Sequence, residues 1–266
     1  VLILAATDFS LGAEAAVDQA AAIAQRVQGR MILVHVRDDA DARRIEEVQA
    51  RMRERGVDAE ARVVDGAPAA ALIGLAADRH ADLIVVGSRG LTGFRRFLLG
   101  SVAERVVRSA PCAVLVARPG SGAPGDYRRI LVPTDFSASA AAALALARVL
   151  AAPAGTIDLL HCWQVPYLSS GSRQSVQEAS QWVRAEMRPK FAAIRERWTG
   201  DPELHCADLC KPPAHGIQWW IDQHAQDLVV VGHQGSRSLR HVLLGSVAEM
   251  TARYSPCSVL VARGRV

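Results

Sequence analysis

The stretch Ile84 to Arg118, IVVGSRGLTGFRRFLLGSVAERVVRSAPCAVLVAR, returns as Val229 to Arg263, VVVGHQGSRSLRHVLLGSVAEMTARYSPCSVLVAR, matching without gaps at 20 of 35 positions and displaced by 145 residues. A second pair, Ile3 to Ser10 (ILAATDFS) and Ile130 to Ser137 (ILVPTDFS), repeats at 127, and His35 in LVHV meets His161 in LLHC at 126. Self-similarity at a near-constant displacement marks a tandem duplication. The growth from 126 to 145 puts about 19 additional residues into the second copy between His161 and Cys210. Between the copies, Pro119-Gly-Ser-Gly-Ala-Pro-Gly125 suits neither a helix nor a central strand and reads as a linker. The expected domains are 1–118 and 127–266, joined by 119–126, with an extra helical segment at about 163–200 in the second.

Within a copy the periodicities alternate. Val1 to Ala6 is a short apolar run. Ser10 then caps an Ala-rich helix carrying Ala15, Ala16, Ala20, Ile23 and Val27 on one face and ended by Gly29. Met31 to Val36 is a strand, Ala42 to Arg55 a polar helix, Val57 to Val64 a strand, and Pro68 opens a helix through Arg79. Leu83 to Val86 is a buried strand, Ser101 to Ser109 a helix, and Ala113 to Ala117 a last strand after Pro111. Strands that are apolar throughout and alternate with helices point to a parallel sheet covered on both faces. Right-handed crossovers make each copy a doubly wound five-stranded α/β unit.

Composition removes several function classes. The chain has 266 residues, half of them hydrophobic and 22% charged, and no apolar run approaches the ~18 to 20 residues of a membrane span. No membrane association is therefore expected. The formal charge is +4, spread thinly with Arg outnumbering Lys 29 to 2, so no basic arm suggests specific nucleic-acid binding. Five cysteines (Cys112, Cys162, Cys206, Cys210, Cys257) are too few and too uneven for a disulfide scaffold and fit a reducing cytoplasm. The start reads directly into a strand without a basic n-region, so no secretory signal is expected, and a residue or two is expected to precede Val1.

The chemistry sits in the Gly-rich loops. After the fourth strand the first copy has Gly87-Ser-Arg-Gly90, nine residues, then Gly100-Ser101; the second has Gly232-His-Gln-Gly235, nine residues, then Gly245-Ser246. Ligands of open α/β sheets lie outside the strands' carboxyl ends where the winding reverses, which is where these loops fall. Glycine at the strand exit would permit positive φ and close approach to a ligand. Gly100-Ser101 and Gly245-Ser246 open helices whose free N–H groups and dipole suit a phosphate. The competing reading makes the glycines turn residues and Ser101 and Ser246 ordinary caps, but identical spacing in two copies argues against it. Asp8 and Asp135, ending the first strand, would face the same crevice and accept hydrogen bonds from a ribose or an adenine; the alternative for them is an Asx turn into the next helix.

The pattern G-x2-G-x9-G-S, with a first-strand T-D and a closing P-C-x-V-L-V, resembles the universal stress proteins, in their tandem two-domain form and ATP-binding branch. The resemblance covers both halves. It implies an adenine nucleotide alpha hydrolase-like fold and ATP, or a related adenine nucleotide, in each domain, with magnesium as the ion its phosphates would bring. Gly87, Arg89, Gly90, Gly100 and Ser101, followed by Val102, would hold phosphates and ribose in the first domain, as Gly232, Gln234, Gly235, Gly245, Ser246 and Val247 would in the second. Asp8 and Asp135, beside Thr7 and Thr134, would contact the adenosine. Backbone at Ala6, Val36, Pro133 and Cys162 would line the base pocket, and Val86 and Val231 would add apolar contact. The resemblance also implies that Ala113 to Ala117 and Ser258 to Ala262 pair across the domains as an intramolecular pseudo-dimer, and it admits a homodimer of whole chains. Nucleotide occupancy would set conformation or partner binding in a stress response.

Two departures from the pattern bear on affinity. Ser88-Arg89 becomes His233-Gln234, losing a cation, and Gly66 before Pro68 becomes Lys211 before Pro212-Pro213, so tighter triphosphate binding is expected in the first domain. Lys190 and Lys211, the only lysines, adjoin neither loop, and no Rossmann G-x-G-x-x-G, G-x-S-x-G or His-Glu-x-x-His occurs. With no positioned base or paired carboxylates, no catalytic residue is assigned and slow hydrolysis is the upper limit. The alternatives are a nucleotide-free dimerisation scaffold and a slow ATPase or adenylate-using enzyme. No metal site is expected: His161, Cys162, His205, Cys206 and Cys210 fall on neighbouring strands, but Cys206 and Cys210 would stand ~13 Å apart. Ser172 to Trp198 reads as a long helix bent at Pro189, with Trp182, Met187, Phe191, Ile194 and Trp198 near one stripe, packing on the core or serving as a lid. One ring of Trp219-Trp220 is expected to be buried.

Overall fold

In the computed structural model the described residues are 1–36, 42–88, 99–120, 124–164, 173–235 and 244–263. The first half alternates β1 (Leu2–Thr7), α1 (Leu11–Arg26), β2 (Arg30–Val36), α2 (Ala42–Glu54), β3 (Asp58–Val64), α3 (Pro68–Asp78), β4 (Leu83–Gly87), α4 (Ser101–Ser109) and β5 (Ala113–Ala117). The second repeats the order as β6 (Tyr127–Pro133), α5 (Ala138–Leu150), β7 (Ala151–Trp163), α6 (Arg173–Arg197), β8 (Glu203–Cys210), α7 (Pro213–His224), β9 (Leu228–Gly232), α8 (Ser246–Tyr254) and β10 (Ser258–Ala262). First-half boundaries lie within a residue of those read from periodicity, except that α1 stops at Arg26, short of the expected stop at Gly29.

All ten strands form one sheet in the order β3-β2-β1-β4-β5-β10-β9-β6-β7-β8. Within each half every pairing is parallel; β5 and β10 meet antiparallel, with Leu115 opposite Leu260. The strand direction therefore reverses at the centre, and the carboxyl ends of the two halves point to opposite edges of the sheet. Burial on both faces explains the continuous apolar strands: Ile3, Leu4 and Ala5 of β1 and Val114 to Ala117 of β5 are fully covered.

Helices α1 and α5 lie on one face of the sheet, and α3, α4, α7 and α8 on the other. Alternate strand residues feed the two apolar layers. Alanine brings α1 and α5 close: Ala16, Ala20, Ala143 and Ala147 are fully buried and have no side-chain rotamers to freeze. The extra residues of the second copy form α6, which continues through Pro189. Phe191, Ile194 and Trp198 pack against the α1/α5 layer and Met187 is buried, so α6 serves as core cover. Trp182 departs from the expected stripe and is 67% exposed. The lining residues Cys162, Val231 and Val247 belong to the opposite layer, while Phe191 of α6 meets Phe136, next to Asp135 in the crevice wall, edge-on at 5.2 Å between ring centroids.

Candidate functional site

β1 lies between β2 and β4, so the winding reverses beside β1, and the crevice opens at the carboxyl ends of β1 and β4; β6 and β9 form its counterpart. Each wall begins with a knot of local hydrogen bonds. Thr7 Oγ1 accepts from the Phe9 N–H at 3.0 Å, Asp8 Oδ1 from the Ser10 N–H at 3.1 Å and hydroxyl at 2.5 Å, and Ser10 Oγ from the Ala13 N–H at 3.2 Å. Thr134, Asp135 and Ser137 repeat it with Phe136, Ser137 and Ala140 at 3.0, 3.0 and 3.2 Å. The short polar side chains compensate a left-handed residue in each knot, Phe9 at φ 60° and Phe136 at φ 61°. One carboxylate oxygen of each Asp thus makes the Asx turn. The other oxygen of Asp135 faces the loop across the crevice: a methyl group on Gly235 would stand 3.0 Å from Oδ2.

Two histidines, His35 read in the sequence as a marker of the repeat and His161 as that and as a weighed metal ligand, buttress these knots. His35 Nδ1–H donates to the Thr7 carbonyl and His161 Nδ1–H to the Thr134 carbonyl, both at 2.8 Å. Each ring also tilts against the neighbouring Phe, at 4.7 Å for Phe9 and 5.1 Å for Phe136. The sequence signal was their near-equal separation from the Thr of the T-D pair, 28 and 27 residues.

The loop glycines divide by role. Gly87 and Gly232 do not take positive φ; they let the first turns of α1 and α5 approach the strand exits. A Cβ on Gly87 would lie 2.6 Å from the Gly12 carbonyl oxygen, and one on Gly232 2.6 Å from Ser139 Oγ and 2.8 Å from its carbonyl carbon. Close packing, not a positive φ, is what requires glycine at these two positions. Gly100 and Gly245 are the N-caps of α4 and α8, with φ, ψ of −66°, 152° and −72°, 145°, so Ser101 and Ser246 are first helical residues rather than caps, and no side chain caps either helix. Both serines are exposed. Each helix start is tied to the strand exit: the Gly100 N–H donates to the Ser88 carbonyl at 2.9 Å and the Gly245 N–H to the His233 carbonyl at 2.7 Å. Ser88 and His233 in turn donate from their N–H groups to the carbonyls of Ala117 and Ala262 at 2.9 and 3.0 Å.

Of the remaining expected residues, Ala6, Val36, Val86 and Val102 share one apolar layer with Cys162, Val231 and Val247, while Thr7 and Thr134 are nearly buried and Pro133 ends β6. Arg89 and Gly90 lie outside the described residues. The thiol of Cys162 packs toward Gly216, and burial pushes it up to about 12, leaving it protonated. Among the described residues no three metal-ligating side chains converge. Neither ring of Trp219-Trp220 is fully buried; Trp220 donates to Asp158 at 3.0 Å.

The electrostatics of the two crevices differ. Ser88 is buried, whereas His233 places Nδ1 3.1 Å from Ser139 Oγ. Burial first, then the Arg263 charge, holds that imidazole below its usual range, with partial opposition from its hydrogen bond to Ala262. Glu104 and Glu249, in the first turns of α4 and α8, would repel an anion. Each is paired with the other half, Glu104 with Arg253 at 2.9 Å and Glu249 with Arg108 at 3.0 Å. An uncapped helix start, a strand-1 carboxylate and an apolar wall together can seat a phosphorylated, hydrogen-bonding, flat ligand.

Comparison with known proteins agrees with the duplication. The profile of the universal stress protein family matches residues 2–118 and again 126–263. A universal stress protein of Mycolicibacterium smegmatis is 30% identical over 197 residues, 71% of this chain and 64% of that one. Universal stress protein Rv2005c of Mycobacterium tuberculosis is 31% identical over 191 residues, 69% and 62%. The chain thus spans less than two thirds of the length of these relatives. The crystal structure of a universal stress protein from Archaeoglobus fulgidus superposes with a TM-score of 0.69 over 100% of this chain and 98% of that chain, at 22% identity.

Proposed function

The chain belongs to the universal stress protein family, and on that premise we propose that it is a nucleotide-binding switch that takes ATP, or a related adenine nucleotide, in each of two crevices. The observation that carries this reading is the duplicated cradle. An uncapped helix start, Gly100-Ser101 or Gly245-Ser246, is pinned to a strand exit beside Asp8 or Asp135 at the point where the winding reverses. First-turn N–H groups and the Ser101 and Ser246 hydroxyls would hold the phosphates, with magnesium balancing their charge. Asp8 and Asp135 would accept from the ribose or the base amino group, and Val36, Val86, Cys162 and Val231 would line the apolar face of the ring.

Binding, not turnover, is the proposed activity. In this reading the chain senses nucleotide by mass action. A seated ligand stabilises the conformation that binds it and so changes the surface the chain presents. The first crevice should bind the triphosphate more tightly, because Arg89 stands where the second copy has Gln234 and because His233 is held neutral. The domain units 1–118 and 127–266 and a cytoplasmic setting are part of this reading.

Mass spectrometry of ligand released from the denatured protein, followed by calorimetry on the stripped chain, tests it. The expected result is an adenine nucleotide and two binding equivalents, the tighter lost in Gly100→Ala and the weaker in Gly245→Ala. No released nucleotide and a flat titration with ATP and ADP would overturn it and leave a dimerisation scaffold.

A further inference from the structure

The two half-sheets exchange a cation at their helix tails. Arg118 directly follows β5 in the first half, and its Nη2 donates to the carbonyls of Ala252 and Arg253, in the last turn of α8, at 2.9 and 3.1 Å. Arg263 directly follows β10 in the second half, and its Nη2 donates to the carbonyls of Val107 and Arg108, in the last turn of α4, at 2.8 and 2.9 Å. Those carbonyls belong to the set a helix cannot satisfy internally, and a cation there meets the negative end of the dipole. Arg118 is enclosed, at 5% exposed, and Arg263 is partly buried, enough to lower its affinity for its proton.

Traced through the backbone, these bonds close a ring. Ser88 bonds the Ala117 carbonyl, the next residue Arg118 grips α8, and Gly245 at the head of α8 bonds the His233 carbonyl. His233 bonds the Ala262 carbonyl, the next residue Arg263 grips α4, and Gly100 at the head of α4 bonds the Ser88 carbonyl. Each helix is nine residues, or about 13 Å, from gripped tail to cradle. A displacement of the tail by one carbonyl therefore carries to the head within two and a half turns.

We infer that Arg118 and Arg263 are crossed positioning residues: each sets the helix that forms the other half's nucleotide cradle, so that occupancy of one crevice is felt at the second. This rests on the nucleotide reading above. Neither arginine touches the ligand in this scheme; each acts through a helix.

The test uses the whole chain, with the backbone amide resonances of Ser101 and Ser246 reporting each crevice during titration with magnesium-ATP. At about pH 8, where burial keeps His233 neutral with or without the Arg263 charge, Arg263→Gln should weaken binding at the Ser101 crevice about 5-fold or more, the lower end of typical coupling energies, and leave the Ser246 crevice within about 2-fold. Arg118→Gln should do the reverse. Arg263→Lys, which keeps the charge but not the planar fork, should fall between wild type and Gln. Unchanged affinities, equal weakening at both crevices, or weakening confined to the arginine's own half would overturn the proposal. Amide hydrogen exchange without ligand separates this from failure of the nucleotide reading. Faster exchange in α4 alone for Arg263→Gln, and in α8 alone for Arg118→Gln, is expected whether or not ATP binds, and unchanged exchange would overturn the crossed grip itself. Wild-type resonances that do not respond to ATP would overturn the nucleotide reading, and the coupling with it.

Discussion

At Gly87 and Gly232 the missing side chain is a packing requirement, and it makes a sharp expectation. A methyl group there would press on the backbone of Gly12 or Ser139, which cannot rotate away, so Gly87→Ala and Gly232→Ala should each lose about 1 to 3 kcal/mol in urea denaturation. His233 supplies a pH dependence. Its folded-state proton affinity is depressed, so the unfolded chain takes up the proton first as pH falls below about 6.5, and stability is lost through that window and present above it. His233→Asn should flatten the decline in thermal midpoint between pH 7.5 and 5.5 relative to wild type. Asp8 and Asp135 were legible as residues of interest from their repeated position, yet sequence alone left open whether they serve a ligand or a turn. The geometry assigns one oxygen to the turn in both copies. The buttressing role of His35 and His161 was not legible, because nothing in a one-dimensional pattern says that a histidine on the neighbouring strand reaches a particular carbonyl.

The extra helix of the second copy shows where periodicity stops short. Its existence followed from the added residues and their apolar spacing, but the face it buries depends on rotation about its axis. Trp182 precedes Met187 by five residues, which at 3.6 per turn carries it well round the helix. Met187→Ala should therefore cost about 2 to 4 kcal/mol, as a truncation in a filled core does. Trp182→Ala should stay within about 0.5 kcal/mol, as expected at an exposed surface site. Paired chemical denaturation curves decide between this assignment and the single stripe. The helices after β4 and β9 were legible in extent, but their caps were not: Ser101 and Ser246 fit the preference for a capping hydroxyl, and the real caps are the glycines before them.

For the molecule as a whole, β-α alternation with right-handed crossovers made the doubly wound parallel class of each half legible in the sequence, and the duplication made it legible twice. What it could not reveal is the unrepeated chemistry between the halves. Tyr127 donates to Gln19 Oε1 at 2.9 Å, Gln19 Nε2 donates to Ser258 Oγ at 3.1 Å, and Ser258 Oγ accepts from the Arg118 N–H at 3.0 Å. All three bonds are buried. Tyr127→Phe should cost about 1 to 3 kcal/mol by leaving the Gln19 oxygen without that donor. Neutralising the half-exposed quartet instead, with Glu104→Gln and Glu249→Gln together, should cost about 1 kcal/mol or less per pair and lose that effect in high salt.

The antiparallel seam between β5 and β10 has a geometric corollary. Because it turns one half-sheet end over end against the other, the two mouths look out in contrary directions, like doors at the two ends of a corridor. A compact protein leaning on either mouth would read one copy and be blind to its twin. Agreement between the doors has to be negotiated inside the corridor wall.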